Sequence, residues 1–285
     1  MFLYNFCVAV YARLIALASL WNDKAKKWTV GRKGIFDRMA RTISPSDRIV
    51  WIHVASLGEF EQGRPVMEQI KANYPHYKIL LTFFSPSGYE VRKNYKGADY
   101  IFYMPIDTPR NVRRFLDLAH PEIAIFVKYE FWINYLTQLK RRGTRTFVIS
   151  AIFRRNYGFL WRQALDSFDQ IFVQNEESRH LLHDIGFDNV VVAGDTRFDR
   201  VAAIAEGVKR IDIVERFKAD KPLFVAGSTW RPDEDILLPL INDNPEIKFV
   251  IVPHEMDECR INRIIAETQG GAVRYTRCSD APPVE

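Results

Sequence analysis

Ile49-Val50-Trp51-Ile52-His53-Val54 is an apolar run, and Ala55-Ser56-Leu57-Gly58-Glu59-Phe60 follows it directly. A short run of this character, bounded by a small-residue turn, reads as a buried strand. Beyond the turn, Gln62 to Ala72 reads as a helix. A serine, a glycine and a glutamate therefore stand where a strand passes into a helix, the place where open α/β sheets bind their ligands. Ordinary helix entry accounts for the same residues, with Ser56 as N-cap and Glu59 as its capping-box partner. What the rest of the chain sets beside this turn decides between the two.

From Arg48 onward, short apolar runs alternate with amphipathic stretches. The strand candidates are Ile49–Val54, Lys78–Thr82, Tyr100–Tyr103, Ile123–Val127, Thr146–Ile149, Ile171–Val173 and Val190–Val192. The helix candidates are Gln62–Ala72, Gly88–Tyr95, Pro109–Leu118, Phe131–Arg141, Phe159–Ser167 and Ser178–Ile185. Regular alternation predicts an α/β fold, a parallel sheet covered by helices on both faces. Right-handed crossovers then bring the C-terminal ends of all strands to one rim. Polar residues collect there: Ser56, Gly58 and Glu59; Ser85, Ser87 and Gly88; Lys128 and Glu130; Arg154, Arg155 and Asn156; Gln174 to Glu177; and Gly194 to Arg197. Capping explains the serines and Asn175. It does not explain Lys128 or the arginines, because a helix N-terminus disfavours cations. The rim is thus expected to form a cleft for a polar, anionic ligand. No G-x-G-x-x-G or Walker A sequence is present, which argues against dinucleotide oxidoreductases and P-loop enzymes.

Val201–Ala219 is polar and reads as a helical linker into a second α/β pattern. Strands are expected at Pro222–Ala226, Lys248–Val252 and Ala272–Tyr275, and helices at Asp233–Asn242 and Ile261–Gln269. Three strands fall short of a doubly wound sheet, so this second domain is expected to be partial. The turn Gly227-Ser228-Thr229 offers backbone N–H groups to a phosphate or carboxylate. His254 and Glu255 stand at the next strand end without a third ligand, so no metal site is expected. Cys7, Cys259 and Cys278 are widely spaced and odd in number, which fits a reducing cytoplasm and no disulfide framework.

The 285 residues, 47% hydrophobic, suffice for two domains with real cores. A net charge of +5 is too mild to indicate nucleic acid, but it suits an anionic substrate or membrane surface. Met1–Trp21 is strongly apolar apart from Asn5 and Arg13. A central arginine costs roughly 2.5–3.5 kcal/mol on insertion scales, which makes a full span marginal. Lys24, Lys26, Lys27, Arg32, Lys33, Arg38 and Arg41 follow, as expected beside anionic lipid. A membrane anchor or monotopic helix is expected here; the alternative is a helix packed into the body of the protein.

His53-Val54-Ala55-Ser56-Leu57-Gly58-Glu59 resembles the H-x-x-S-x-G-E motif of bacterial 3-deoxy-D-manno-octulosonic acid (Kdo) transferases, enzymes of lipopolysaccharide synthesis. Thr82 to Gly88 resembles that family's T-x-x-S/T-P-S/T-G segment, and Tyr129-Glu130-Phe131-Trp132 its T-E-L/F-W segment. Gln174-Asn175-Glu176-Glu177, Gly194 to Asp199, Gly227-Ser228-Thr229 and Val252-Pro253 follow in the family's order. The resemblance implies a GT-B glycosyltransferase of two Rossmann-like domains: a membrane-associated segment over 1–45, an acceptor domain over 46–205 and a partial donor domain over 206–285. It implies CMP-Kdo as donor and a phosphorylated lipid A precursor, lipid IVA, as acceptor. No cofactor, metal or nucleic acid is implied, and the location is the cytoplasmic face of the bacterial inner membrane. Glu59 takes the role of general base and Glu130 that of a second catalytic residue. Ser56, Gly58, Ser85, Ser87, Gly88 and Arg154 fall on the acceptor side, and Gly227, Ser228, Thr229 and His254 on the donor side. Direct displacement by an acceptor hydroxyl inverts the anomeric centre, and CMP leaves as an anion that positive groups stabilise. Two departures stand out: Lys128 replaces the first carboxylate of the family's E-T-E-L/F-W, and Pro253-His254-Glu255 lacks the arginine of its P-R-H. The family's later G-D-S/T and glycine-rich G-G-x-N-x-x-E segments are expected beyond Glu285. The alternatives are another GT-B nucleotide-sugar enzyme, such as a sugar 2-epimerase, or a catalytically silent membrane-bound module that binds glycolipid.

Overall fold

The computed structural model describes residues 1–154, 159–207 and 210–278. The chain divides into two compact units, Met1–Glu206 and Gly207–Glu285. The first unit opens with three helices, α1 (Phe2–Ala18), α2 (Asp23–Gly31) and α3 (Ile35–Thr42). Seven strands follow: β1 (Arg48–Val54), β2 (Tyr77–Phe83), β3 (Tyr100–Tyr103), β4 (Ile123–Val127), β5 (Arg145–Ala151), β6 (Gln170–Val173) and β7 (Val190–Val192). Between and after them lie α4 (Leu57–Asn73), α5 (Pro86–Arg92), α6 (Pro109–Ala119), α7 (Ile133–Arg142), α8 (Phe159–Leu165), α9 (Glu176–His183) and α10 (Thr196–Glu206). All strand pairs are parallel, in the order β3-β2-β1-β4-β5-β6-β7.

β1 shows why the sheet is buried on both faces. Ile49 and Trp51 point into one apolar layer with Leu80, Phe115, Phe126 and Tyr135. Val50, Ile52 and Val54 point into the other with Phe60, Met67, Leu81 and Phe83. A strand covered on both sides must be apolar at odd and even positions alike, which is the continuous run seen in the sequence. Each fully buried side chain of this size contributes ~1.5–3 kcal/mol.

The second unit contains α11 (Asp212–Lys218), β8 (Leu223–Thr229), α12 (Arg231–Asp243), β9 (Lys248–Pro253) and α13 (Glu258–Glu267), with β8 and β9 paired in parallel. The strand expected at Ala272–Tyr275 does not form: the chain there is irregular and ends in a 3-10 turn, Tyr275–Arg277. Gly270-Gly271 precede it, and Arg274 is drawn instead to Glu258 (2.7 Å) and Asn262 (2.9 Å) on α13. The Val201–Ala219 stretch is more than a linker. Its first part belongs to α10, which is tied to α4 by Thr196 Oγ1 donating to the Gln62 carbonyl (2.6 Å) and Gln62 Nε2 donating to Asp195 Oδ1 (2.9 Å).

α1 is not buried, and side chains along it contact the body of the first unit. Tyr4 donates its hydroxyl to Asp107, and Asn134 Nδ2 donates to Asn5 Oδ1 (2.8 Å). The Tyr11 ring meets those of Trp28 (6.3 Å) and Phe84 (6.4 Å). Phe2, Leu3, Phe6, Leu14, Leu17, Leu20 and Trp21 remain exposed. No helix among the described residues is long and apolar enough to cross a membrane. The basic residues after α1 divide into two kinds. Arg32 is turned inward, donating to the carbonyls of Trp28 (3.0 Å), Phe84 (2.8 Å) and Met104 (2.9 Å), with its guanidinium 4.0 Å from the Trp28 ring centre. It clips α2 to the rim of the sheet. Lys24, Lys26, Lys27, Lys33 and Arg41 stay exposed.

Candidate functional site

The strand order reverses direction between β1 and β4, and the crevice outside that switch point is where a doubly wound sheet binds ligands. Two segments flank it: Ser56–Glu59 after β1 and Lys128–Trp132 after β4. α4 begins at Leu57, earlier than its amphipathic pattern indicates, so Glu59 lies in its first turn. The Glu59 carboxylate accepts at Oε2 from both the Ser56 N–H (2.7 Å) and the Ser56 hydroxyl (2.7 Å). No protein donor among the described residues reaches Oε1. The capping geometry therefore fixes one oxygen and leaves the other without a donor among the described residues.

The segment after β2 is drawn against this turn. Phe84 N–H donates to the Val54 carbonyl (3.2 Å) and Ser85 N–H to the Ala55 carbonyl (2.7 Å). Ser85 Oγ caps α5 by accepting from Ser87 N–H (3.3 Å), and the two hydroxyls lie 3.0 Å apart. Gly88 is needed for this approach, since a Cβ there would stand 2.4 Å from Phe83 Cδ1 and 3.0 Å from the Ser56 carbonyl carbon. Gly88→Ala is accordingly expected to destabilise the protein by about 1–3 kcal/mol and to displace the Ser56 turn. Chemical denaturation measures the first effect, and an unchanged unfolding midpoint would contradict the close approach.

Glu130 is held as tightly. Its Oε2 accepts from Trp132 Nε1 (2.7 Å) and lies 3.2 Å from His53 Nε2. His53 and Thr82 are fully buried beneath it. Lys128 (φ +66°) and Ser150 (φ +53°) adopt the left-handed conformation at strand ends on the same rim. Such backbone is costly for residues with a Cβ and clusters at functional sites. Among the described residues no carboxylate lies within ion-pair distance of Lys128. Arg154 is exposed just beyond β5, while Arg155 and Asn156 lie outside the described residues. Sequence reasoning gave no role to Asp107, a fully buried carboxylate. It accepts from the N–H groups of Asn134 (3.2 Å) and Tyr135 (3.2 Å) and so caps α7, the helix that follows Glu130. Burial pushes its carboxyl up to about 6, against the pull of these hydrogen bonds.

In the second unit, Gly227, Ser228, Thr229 and His254 meet at the C-terminal ends of β8 and β9. Ser228, at φ +58°, places its hydroxyl 2.7 Å from His254 Nδ1, and the Trp230 ring lies 4.7 Å from the His254 ring. Thr229 Oγ1 donates to the buried Glu234 (3.0 Å), which Arg260 and Arg263 neutralise. Burial pushes the Glu234 carboxyl up, but these partners outweigh it and hold it below the ordinary range. Among the described residues no three His, Cys, Asp or Glu side chains are grouped to hold a metal.

The seven-stranded parallel sheet of the first unit and the parallel strand pair of the second have the α/β architecture of the GT-B fold. The structure is similar to a UDP-GlcNAc 2-epimerase from Neisseria meningitidis bound to UDP-GlcNAc, with a TM-score of 0.56 at 13% identity over 79% of this chain and 70% of that one. It is also similar to a UDP-GlcNAc 2-epimerase from Methanocaldococcus jannaschii, with a TM-score of 0.53 at 15% identity over 77% and 68% of the two chains. At such identities the likeness establishes the fold alone. Residues 31–200 match the family described as 3-deoxy-D-manno-octulosonic-acid transferase (kdotransferase), and the chain belongs to that family. It is 25% identical over 271 residues to the 3-deoxy-D-manno-octulosonic acid transferase of Haemophilus influenzae, covering 90% of this chain and 62% of the relative. It is 27% identical over 218 residues to the enzyme of that name from Aquifex aeolicus, covering 74% and 56%. The chain thus spans about 60% of the length of these curated relatives.

Proposed function

We propose that this chain forms the acceptor side, and part of the donor side, of a transferase that moves Kdo from CMP-Kdo to a phosphorylated lipid A precursor such as lipid IVA. The observation that carries the proposal is the pair Glu59 and Glu130 flanking the β1/β4 switch point, each with one carboxylate oxygen held by local donors and the other without a hydrogen-bond donor among the described residues. Glu59 acts as general base: Oε1 takes the proton of the attacking acceptor hydroxyl as that oxygen bonds to the anomeric carbon, and CMP departs from the opposite face with inversion. Glu130 accepts a hydrogen bond from the bound sugar. Ser56, Gly58, Ser85, Ser87, Gly88 and Arg154 shape the acceptor side. On the donor side, Gly227, Ser228, Thr229 and His254 supply N–H, hydroxyl and imidazole groups to the leaving nucleotide. The test is CMP release when protein carrying this chain is mixed with CMP-Kdo and lipid IVA. Release only with both substrates supports the assignment, whereas release independent of lipid IVA refutes the acceptor.

The exposed apolar face of α1 and the exposed lysines after it suit the cytoplasmic surface of the inner membrane, one seating in the interface and the others meeting anionic headgroups. Replacing both Leu14 and Leu17 by glutamate is expected to weaken binding to anionic phospholipid vesicles at least tenfold, since each leucine contributes ~1.5–3 kcal/mol when buried. Vesicle co-sedimentation measures this, and undiminished binding by the double variant would place the contact elsewhere.

A further inference from the structure

His53 is the one polar side chain in the run Ile49–Val54, and it is fully buried. Both ring nitrogens are engaged: Nδ1 lies 2.8 Å from Thr82 Oγ1 and Nε2 lies 3.2 Å from Glu130 Oε2. Thr82 Oγ1 also accepts from Trp51 Nε1 (2.8 Å). An indole N–H only donates, and a threonine hydroxyl has a single hydrogen to give. With Trp51 donating to Thr82, the Thr82 hydrogen has one acceptor among the described residues, His53 Nδ1. Hydrogen-bond accounting therefore puts the imidazole hydrogen on Nε2, directed at Glu130. The opposite tautomer sets a lone pair against the Glu130 carboxylate and leaves the Thr82 hydrogen without an acceptor among the described residues at a fully buried position, where unmet donors are expensive. Glu130 Oε2 thus receives two N–H groups, from His53 and Trp132, and its Oε1 receives none from the described residues.

We propose that Trp51, Thr82 and His53 form a buried relay that positions Glu130, with His53 in the Nε2–H tautomer, so that Glu130 Oε1 meets a hydroxyl of the bound sugar. The relay runs from β1 to β2, back to β1, and then out to the rim after β4. It couples the packed centre of the sheet to a side chain at the ligand crevice. His53 touches no substrate; it is a positioning residue. The proposal rests on the assignment of the β1/β4 rim as the sugar-transfer site.

Two measurements on the intact protein test it separately. In protein labelled with 15N at histidine, the His53 resonances are assigned by their loss in His53→Gln. Nδ1 is expected to resonate as an unprotonated nitrogen and Nε2 as a protonated one. Thr82→Val, nearly equal in volume but without the hydroxyl, is expected to shift Nδ1, and Thr82→Ser to restore it. An Nδ1–H tautomer in the wild type overturns the relay, whether or not the protein transfers Kdo. In the CMP-release assay, Thr82→Val and His53→Ala are expected to lower kcat roughly 10- to 100-fold, the usual loss on removing a group that orients a functional side chain. The KM for CMP-Kdo should hold, and His53→Gln should recover part of the loss because its amide nitrogen reaches the Nε2 position. Thr82→Val with the kcat of the wild type also overturns the relay. A wild type that releases no CMP defeats the transferase assignment and leaves the tautomer measurement to decide the relay. Thr82→Ser supplies the kinetic comparison should Thr82→Val unfold.

Discussion

Glu59→Gln is expected to lower the rate of Kdo transfer by roughly 10²–10⁴-fold, the range for loss of a positioned general base. The substitution separates the two jobs that Glu59 holds. As a cap, it accepts the Ser56 N–H and hydroxyl at Oε2. A glutamine carbonyl oxygen accepts the same N–H, so α4 should begin where it does now and unfolding should change by less than about 1 kcal/mol. As a base, it must take a proton, and an amide oxygen at neutral pH does not. Glu59→Ala removes both functions and is expected to add a stability loss of about 1 kcal/mol to the same rate loss. CMP release and thermal unfolding, measured on both variants, read the two effects independently. Glu59→Gln active within tenfold of the wild type would return Glu59 to the role of a cap and shift attention to Glu130.

Most of the fold was legible because β-α alternation leaves a strong imprint. All seven strands of the first unit lie where short apolar runs predict them, and three of them match residue for residue: β3, β4 and β7. The start of α4 was not legible from its amphipathic pattern. Gly58, Gly63 and Pro65 weaken the helical signal, while a cap and close packing on β1 impose the helix regardless. Ala272–Tyr275 shows the reverse failure: its local β-propensity is real, but no neighbouring strand pairs with it among the described residues, and Arg274 finds better partners on α13. At the site, the turn at Ser56–Glu59 and the Glu130 segment stood out because both follow strands. The relay beneath Glu130 did not, because Trp51, Thr82 and His53 come together only when β1 and β2 pair in register, His53 opposite Thr82. The one available signal was a histidine inside an otherwise apolar strand.

Asp107 was legible least of all, and its titration falls between pH 4 and pH 7, where stability is readily measured. Its carboxyl stands at about 6 in the folded protein against 3.8 for an ordinary aspartate, with burial the main cause. The folded state therefore binds this proton more readily than the unfolded chain. Its contribution to stability is greatest below pH 3.8 and is lost as pH rises through about 6. The displacement corresponds to roughly 3 kcal/mol. Asp99, Glu122 and Asp195 have carboxyls held below the ordinary range by their partners, so their contributions run the opposite way and fade at lower pH. Comparison with Asp107→Asn cancels those groups. The unfolding free energy of the wild type minus that of Asp107→Asn is expected to fall by roughly 2.5 kcal/mol between pH 4 and pH 7, most of the full displacement. At every pH the asparagine should remain the less stable protein near Asn134 and Tyr135. Its NH₂ group faces one of the N–H donors that the carboxylate now accepts, and an unmatched buried donor costs ~1–3 kcal/mol. Urea unfolding across that pH range makes the measurement; a flat difference would show that Asp107 titrates as an ordinary surface carboxylate, and a rise with pH that its hydrogen bonds outweigh burial. The consequence reaches the site, because Asp107 joins Tyr4 of α1 to the first turn of α7, and α7 begins directly after Glu130 and Trp132. A weakened cap should loosen the Glu130 segment and α1 together, seen as faster backbone amide exchange in both Phe2–Ala18 and Ile133–Arg142.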